Sequence, residues 1–104
     1  MSVKCICVND KNRPIEIPPQ KWIKKDNEYS ITHIYYHYQQ GLQGAELAEI
    51  ELTDENFPYQ SFALNRFAFT KEELEKLMQM IKDCTELNDI EVGHLVEELN
   101  LETI

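Results

Sequence analysis

The sequence has little of what membrane-spanning, secreted and nucleotide-binding proteins need. No apolar run approaches the length of a membrane-spanning helix, about 20 residues. The opening Met-Ser-Val-Lys-Cys-Ile lacks the apolar stretch and cleavage site of a signal peptide. Only three of 104 residues are glycine, too few to favour a phosphate-binding loop built from glycine amides. We therefore expect a cytoplasmic protein with no membrane segment.

Cysteine is also scarce, and its three occurrences do not form a recognisable site. Cys5 and Cys7 are two residues apart on a predicted strand, whereas structural zinc sites use pairs such as Cys-x-x-Cys within four ligands. With Cys84 they make an odd number, which argues against a disulfide framework. His33 and His37 are four residues apart on a strand, about 13 Å, so one metal ion cannot bind both. The sequence predicts core-packed thiols, no metal site and no cofactor.

Basic residues are outnumbered, because ten Lys and Arg face 19 Asp and Glu to give a net charge of −9. Residues 1–27 carry six basic and three acidic residues (+3), residues 28–69 one and six (−5), and residues 70–104 three and ten (−7). Duplex-binding proteins gain affinity from Lys and Arg on phosphates, so most of this surface would repel nucleic acid. Duplex nucleic acid is a disfavoured partner, and a protein with a basic surface is favoured.

The first two thirds of the chain alternate between strand patterns and turn residues. β-Branched and aromatic residues with period-two alternation predict strands over residues 3–8, 28–38, 45–52 and 61–69. Residues 11–21 contain three prolines and are expected to form an irregular surface loop ending at Trp22. Two glycines within residues 39–44 predict the turn of a long antiparallel hairpin.

The last third predicts two helices. Thr70 and Glu73 fit a capping box that starts a helix over residues 71–86. Its apolar residues share one helical face: Leu74, Leu77, Met78, Ile81 and Cys84. A second, shorter helix is weakened by Gly93 and carries its own stripe of Val92, Leu95, Val96 and Leu99. That stripe is buried either in a homodimer or by folding back on the first helix.

Aromatic residues cluster around the predicted hairpin. A strand sends Tyr35 and Tyr36 to opposite faces, so both cannot lie in one core, although ordinary packing of the cluster is an alternative. Tyr is favoured at binding hot spots because it joins a rigid apolar body to a polar tip. The candidate binding residues are Trp22, Tyr35, Tyr36, Tyr38, Tyr59, Lys24, Lys25 and Arg66. No Gly-x-Ser-x-Gly or His-Glu-x-x-His motif occurs, so we expect no catalytic residue and no enzyme.

Three segments resemble the short SH3-like β-barrel proteins of bacterial phages and mobile elements. They are Lys4-Cys5-Ile6, Trp22-Ile23-Lys24-Lys25-Asp26-Asn27-Glu28-Tyr29 followed by Ile31, and Phe62-Ala63-Leu64-Asn65-Arg66-Phe67. The frame is a basic turn entering a Tyr-led strand and a final aromatic turn ending in Arg-Phe, and it covers residues 3–69. This chain has Lys25-Asp26 where a glycine is common, and it adds two helices. The resemblance implies a fold more than a function, since many such proteins have no assigned activity.

Together these features predict one α+β domain over residues 1–104. A small antiparallel SH3-like barrel or curved sheet (1–69) is followed by two C-terminal helices packed on it (70–104). The predicted function is a non-catalytic protein-interaction module, such as a counter-defence or immunity-type inhibitor that a phage or mobile element encodes. One alternative is a binder of a small anionic ligand, such as a nucleotide, on Lys4, Arg13, Lys21, Lys24, Lys25 or Arg66. A second is a weak single-strand nucleic-acid binder that uses the same basic residues with aromatic stacking.

Overall fold

The computed structural model describes residues 2–37 and 41–104 and shows an α+β fold with a five-stranded sheet. The strands are β1 (Val3–Cys7), β2 (Glu28–His37), β3 (Gly41–Leu47), β4 (Phe67–Phe69) and β5 (Glu102–Thr103). Their order in the sheet is β3-β2-β1-β4-β5. The helices are α1 (Lys71–Cys84) and α2 (Asp89–Leu99), as predicted at the C-terminal end. In the described ranges, neither helix is long and apolar enough to cross a membrane.

The sheet is mixed rather than antiparallel, and it is not closed into a barrel. β1 pairs antiparallel with β2 and with β4, and β2 pairs antiparallel with β3. β5 instead runs parallel to β4, with Ala68 opposite Glu102. A parallel pair needs a long crossover connection, and α1 and α2 supply it by leading the chain away from β4 and back beside it. The sequence pattern missed β5 because two exposed residues carry no recognisable alternation.

A single bridge joins the outer edge of β3 to the segment before β4. The Ala45 amide donates to the Phe62 carbonyl at 2.6 Å, and the Phe62 amide donates to the Ala45 carbonyl at 2.9 Å. The strand predicted over residues 61–69 is shorter than expected, because a 3-10 helix, Leu64–Arg66, interrupts it before β4. Gly44 is needed beside the bridge, since a Cβ there would lie 2.6 Å from the Phe62 carbonyl oxygen.

The core lies between the sheet and α1, which packs against β1, β2 and β4. The buried side chains of α1 are Leu77, Met80 and Ile81. They join strand residues such as Val3, Ile31 and Phe69 in one apolar cluster. Cys84 was predicted on this buried face, but it is the last residue of α1 and is exposed.

α1 begins at a cap that also ties the helix to the sheet. The Thr70 hydroxyl accepts a hydrogen bond from the Glu73 amide at 3.2 Å, as predicted. The Glu73 carboxylate, however, accepts from the Lys4 amide of β1 at 3.1 Å rather than completing a capping box. Only the Thr70 half of the predicted capping box is therefore present, and the Glu73 carboxylate instead links α1 to β1.

α2 folds back on α1 within the same chain. It begins at a complete capping box, in which the Glu91 amide donates to Asn88 Oδ1 at 2.9 Å and the Asn88 amide donates to Glu91 Oε1 at 3.4 Å. It ends at Asn100, whose φ of 51° turns the chain towards β5. Val92 is buried, and Val96 packs against the core. Much of the second apolar stripe is therefore covered without a partner, and the homodimer stays a prediction.

Candidate binding groove

A groove lined by aromatic and other apolar side chains lies where the long loop after β1 meets the segment before β4. Its first part, the tryptophan compartment, has a volume of about 220 Å³ and is lined by Pro14, Ile17, Trp22, Tyr59, Ser61, Phe62, Ala63 and Arg66. Its second part, the acidic compartment, has a volume of about 240 Å³ and is lined by Tyr35, Glu46, Leu52, Thr53, Asp54, Phe57, Tyr59 and Gln60. Tyr59 lines both compartments, so they adjoin across one aromatic ring.

Trp22 is held in a fixed orientation in the tryptophan compartment. Its indole Nε1 donates to the Asp10 carbonyl at 2.6 Å. Its ring lies 5.7 Å from the Phe62 ring, centroid to centroid, with the planes tilted by 53°. The Arg66 guanidinium carbon lies 5.0 Å from the Trp22 ring centroid, a cation–π geometry. The indole is half-buried, and the Nε1 hydrogen bond, the Phe62 ring and the Arg66 guanidinium hold it in place.

Arg66 joins the final turn to the long loop. Its guanidinium Nη1 donates to the Lys11 carbonyl at 2.7 Å and to the Asn9 carbonyl at 3.1 Å. Its own carbonyl accepts from the Val8 amide at 2.8 Å. Because these bonds and the indole face engage the guanidinium, Arg66 shapes the wall of the tryptophan compartment.

The long loop is more ordered than the irregular surface loop predicted for residues 11–21. Ile17 is buried, and Arg13 Nη1 donates to its carbonyl at 2.6 Å. A 3-10 helix, Pro19–Lys21, then leads directly into Trp22. The sequence pattern missed Ile17 because isolated apolar residues among prolines show no periodicity. Pro14 and Ile17 therefore form a fixed wall of the groove.

Asn56 fastens the segment before β4 to this loop. It is the buried polar residue of the described chain, with 2% of its surface exposed. Its Nδ2 donates to the Glu16 carbonyl at 2.9 Å, and its Oδ1 accepts from the Thr53 amide at 3.0 Å. Sequence reasoning missed this residue, although the Thr53-x-x-Asn56 spacing is that of the capping box found here. Asn56 thereby positions the two aromatic residues that follow, Phe57 and Tyr59.

The acidic compartment combines exposed aromatic rings with carboxylates. Phe57 is 75% exposed and Tyr59 is 39% exposed. The Tyr35 hydroxyl donates to Glu46 Oε2 at 2.8 Å, and this hydrogen bond to a carboxylate raises the pKa of Tyr35. Glu46 and Asp54 are themselves exposed. The ion pairs of the described ranges are Lys76 with Glu73 and Lys82 with Asp89, so no Lys or Arg there neutralises either groove carboxylate.

The structure brings together some of the predicted binding residues and leaves others apart. Trp22, Tyr59 and Arg66 line the tryptophan compartment, and Tyr35 shares the acidic compartment with Tyr59. Lys24 and Lys25 lie in the turn before β2, where their amides donate to the Tyr29 hydroxyl (2.8 Å) and to Asp10 Oδ2 (3.0 Å). Both lysines are outside the lining of the groove. Tyr36 is half-buried and lines neither compartment, and Tyr38 lies outside the described residues.

The basic residues considered for an anionic ligand are spread over separate parts of the described surface. Lys4 lines a separate cleft together with Glu28 and Glu73, whose carboxylates would oppose an anion. Arg66 is the cation of the tryptophan compartment, and Arg13 is bonded to the Ile17 carbonyl. Neither compartment, nor the Lys4 cleft, is lined by two of these six residues.

The cysteines of β1 have the properties of packed thiols rather than nucleophiles. Cys5 is buried, and burial together with the nearby Glu49 carboxylate raises its pKa to about 12. Burial likewise raises the pKa of Cys7. Both are therefore protonated thiols at neutral pH, and the thiolate is the reactive form. Within the described residues, no group of three His, Cys, Asp or Glu side chains is placed to hold a metal ion.

The groove is consequently the feature of this molecule from which function must be inferred. It joins anchored aromatic walls, an exposed phenyl ring and two unneutralised carboxylates, and it includes four of the residues singled out from sequence. Comparison with protein-family models, with curated proteins and with solved structures finds no significant match to this chain.

Proposed function

We propose that this chain is a non-catalytic protein-interaction module whose partner binds in the groove. The observation that carries the proposal is that Phe57 remains 75% exposed although Asn56, the residue before it, is buried and hydrogen-bonded. The fold thus holds a large apolar ring in water at a fixed position. Exposed apolar patches rimmed by polar residues are typical of protein interaction sites.

The composition and rigidity of the groove support a protein partner. Binding hot spots are enriched in Trp, Tyr and Arg, and Trp22, Tyr59 and Arg66 line a single compartment. Hydrogen bonds from Trp22 and Arg66 to loop carbonyls fix the compartment before any partner arrives. A preformed surface loses little conformational entropy on binding, which leaves more of the contact energy for affinity.

The proposal also includes an SH3-like barrel as the fold and the cytoplasm as the compartment. The Ala45–Phe62 bridge, followed by a 3-10 helix and β4, supports a small SH3-like barrel that is partly open. Free thiols at Cys5, Cys7 and Cys84 support a reducing, cytoplasmic setting for both partners. A role as an inhibitor in a phage or mobile element rests on the resemblance of residues 3–69 to such proteins.

The test compares two equally exposed apolar residues in different places. The Phe57→Ser variant alters the groove, and Ile90→Ser alters α2, where the side chain is 72% exposed. Parent and variants are immobilised at equal density, exposed to a lysate of the producing organism, and the captured proteins are quantified by mass spectrometry. A protein captured by the parent and by Ile90→Ser, but lost from Phe57→Ser, is the expected result. Equal capture by all three would contradict the proposal.

A further inference from the structure

We infer that the acidic compartment binds a Lys or Arg side chain on a short extended segment of the partner, next to an apolar side chain in the tryptophan compartment. This inference rests on the proposed function and specifies its ligand. The two compartments adjoin across Tyr59, so neighbouring residues of one segment can fill both. The groove is thereby assigned a cationic ligand group and an apolar one.

Charge complementarity identifies the occupant of the acidic compartment. Its lining includes the Glu46 and Asp54 carboxylates and no basic residue. The Glu46 carboxylate is oriented by the Tyr35 hydroxyl at 2.8 Å, and that hydroxyl does not cancel its charge. Residues 28–69 hold six acidic residues against one basic residue, Arg66, which lies in the other compartment. An incoming cation therefore finds two carboxylates with no Lys or Arg in their own lining. The nearby Lys21 ammonium donates instead to Asn56 Oδ1 at 3.5 Å.

Aromatic rings add a second attraction for a cation. Tyr35, Phe57 and Tyr59 line the same compartment as the two carboxylates. The face of an aromatic ring attracts an ammonium or guanidinium group, and the attraction grows when the cation loses its water. An apolar ligand alone would use the rings and leave two carboxylates partly desolvated, which costs free energy. A cationic side chain can pair with the carboxylates and also lie against the aromatic rings.

The tryptophan compartment selects a different side chain. Pro14, Ile17, Trp22 and Phe62 give it apolar walls. Its cation, Arg66, is already engaged by the indole face and by two loop carbonyls. A proline or aliphatic side chain fits these walls without leaving a charge unpaired. The partner segment therefore carries a basic residue and an apolar residue close together in sequence.

A matched pair of double variants tests the inference. Glu46→Gln with Asp54→Asn removes the groove charges but keeps an oxygen acceptor for the Tyr35 hydroxyl. Glu86→Gln with Glu97→Gln removes two exposed charges from the helical part. Each pair raises the net charge of −9 by two. Any difference between the pairs therefore reports the position of the charges and not their number.

The probe is a phage-displayed library of random dodecapeptides, selected on the immobilised parent. We expect enriched peptides with Lys or Arg beside Pro or an aliphatic residue. Their Kd should rise at least about tenfold in the groove pair and change little in the helical pair. Added salt should also weaken parent binding. Enrichment of peptides without basic residues, equal losses in both pairs, or no enrichment at all would overturn the inference.

Binding of the selected peptides to Phe57→Ser distinguishes a wrong ligand from a wrong site. Peptides that lack Lys and Arg but lose binding in Phe57→Ser would leave the groove as the interaction site and reject only its cationic ligand. Peptides that bind Phe57→Ser as tightly as the parent would reject the groove itself. Light scattering decides whether a second copy of the chain is the occupant. If the parent self-associates and the Glu46→Gln, Asp54→Asn double variant does not, the segment bound in the groove belongs to a second copy of this chain and not to a separate protein.

Discussion

α1 and the groove place large apolar side chains in opposite environments. α1 places Leu77, Met80 and Ile81 in the core, where each is almost completely buried. In the groove, Phe57 is held largely in water and Tyr59 is partly exposed, on a segment that Asn56 fixes in place. Apolar burial explains the first arrangement, but the second gains little from it. The contrast assigns stability to α1 and, under the proposed function, recognition to the groove.

The strongest test of this contrast replaces one apolar residue in each region. Leu77→Ala empties a fully buried site and should lower the free energy of unfolding by about 2–5 kcal/mol. Phe57→Ala removes a ring that is mostly in water and should change that free energy by about 0.5 kcal/mol or less. Urea denaturation followed by circular dichroism measures both. Similar losses in the two variants would show that Phe57 is structural.

A second comparison uses two glycines of the described residues, Gly44 and Gly93, which have different surroundings. Gly44→Ala places a Cβ 2.6 Å from the Phe62 backbone oxygen and 2.5 Å from Ser61 Oγ, and both of these residues line the tryptophan compartment. The bridge must shift, and we expect a loss of about 1–3 kcal/mol in the free energy of unfolding. Gly93→Ala in α2 meets nothing within 4 Å and should instead gain up to about 1 kcal/mol from helix propensity. Thermal melts of both variants measure whether stability falls in Gly44→Ala and rises in Gly93→Ala. A Gly44→Ala protein as stable as the parent would show that the Ala45–Phe62 bridge is not closely packed.

Asn56 tests whether the groove is held by polar contacts rather than by apolar packing. Asn56→Ala leaves the Glu16 carbonyl and the Thr53 amide without their partner and should cost about 1–3 kcal/mol. It should also release Phe57 and Tyr59 from their fixed positions, so peptide binding should weaken more than in Phe57→Ala. Denaturation and peptide titration measure the two effects. Unchanged binding in a folded Asn56→Ala protein would show that these contacts do not organise the groove.

The smallest expected effect is the acid dependence of the link between α1 and the sheet. Burial alone would raise the pKa of Glu73, but hydrogen bonds from the Lys4 amide and the Lys76 ammonium outweigh burial and lower the pKa from its ordinary value. A carboxyl whose pKa falls on folding stabilises the protein above its unfolded pKa, and this stability disappears as pH falls through the folded pKa. Glu73→Gln should therefore be less stable than the parent at pH 7, with the difference shrinking below about pH 4.5. A constant difference down to pH 3 would contradict this account.

Sequence patterns predicted the helices, misplaced one strand and missed the elements that depend on distant contacts. Alternation over residues 45–52 predicted a strand there, but β3 is Gly41–Leu47. The stripe through Leu77 and Ile81 predicted α1 well, because helical spacing is a local property. β5 has two exposed residues and exists only because the helices return the chain beside β4, which no local pattern reveals. The predicted capping box likewise failed in part, since the Glu73 carboxylate found the Lys4 amide 69 positions away.

At the candidate site, too, the sequence identified some residues and missed others whose role depends on distant contacts. Trp22, Tyr35, Tyr59 and Arg66 were chosen from residue type alone, and the structure places them around one groove. Lys24 and Lys25 were chosen for their charge, but the turn before β2 keeps them outside its lining. Glu46 and Asn56 were missed, because a carboxylate on a strand and an amide in a turn are common on ordinary surfaces. Their roles depend on what the fold brings next to them.

The most direct test of the account is a paired measurement on Tyr59→Ala, which alters the ring shared by the two compartments. Calorimetric titration with the tightest-binding peptide from the library gives the change in Kd, and urea denaturation of the same sample gives the change in unfolding free energy. We expect a Kd at least about tenfold weaker, with a loss of stability of about 1 kcal/mol or less because Tyr59 is 39% exposed. Binding equal to the parent, or a loss of binding that follows an equally large loss of stability, would contradict it.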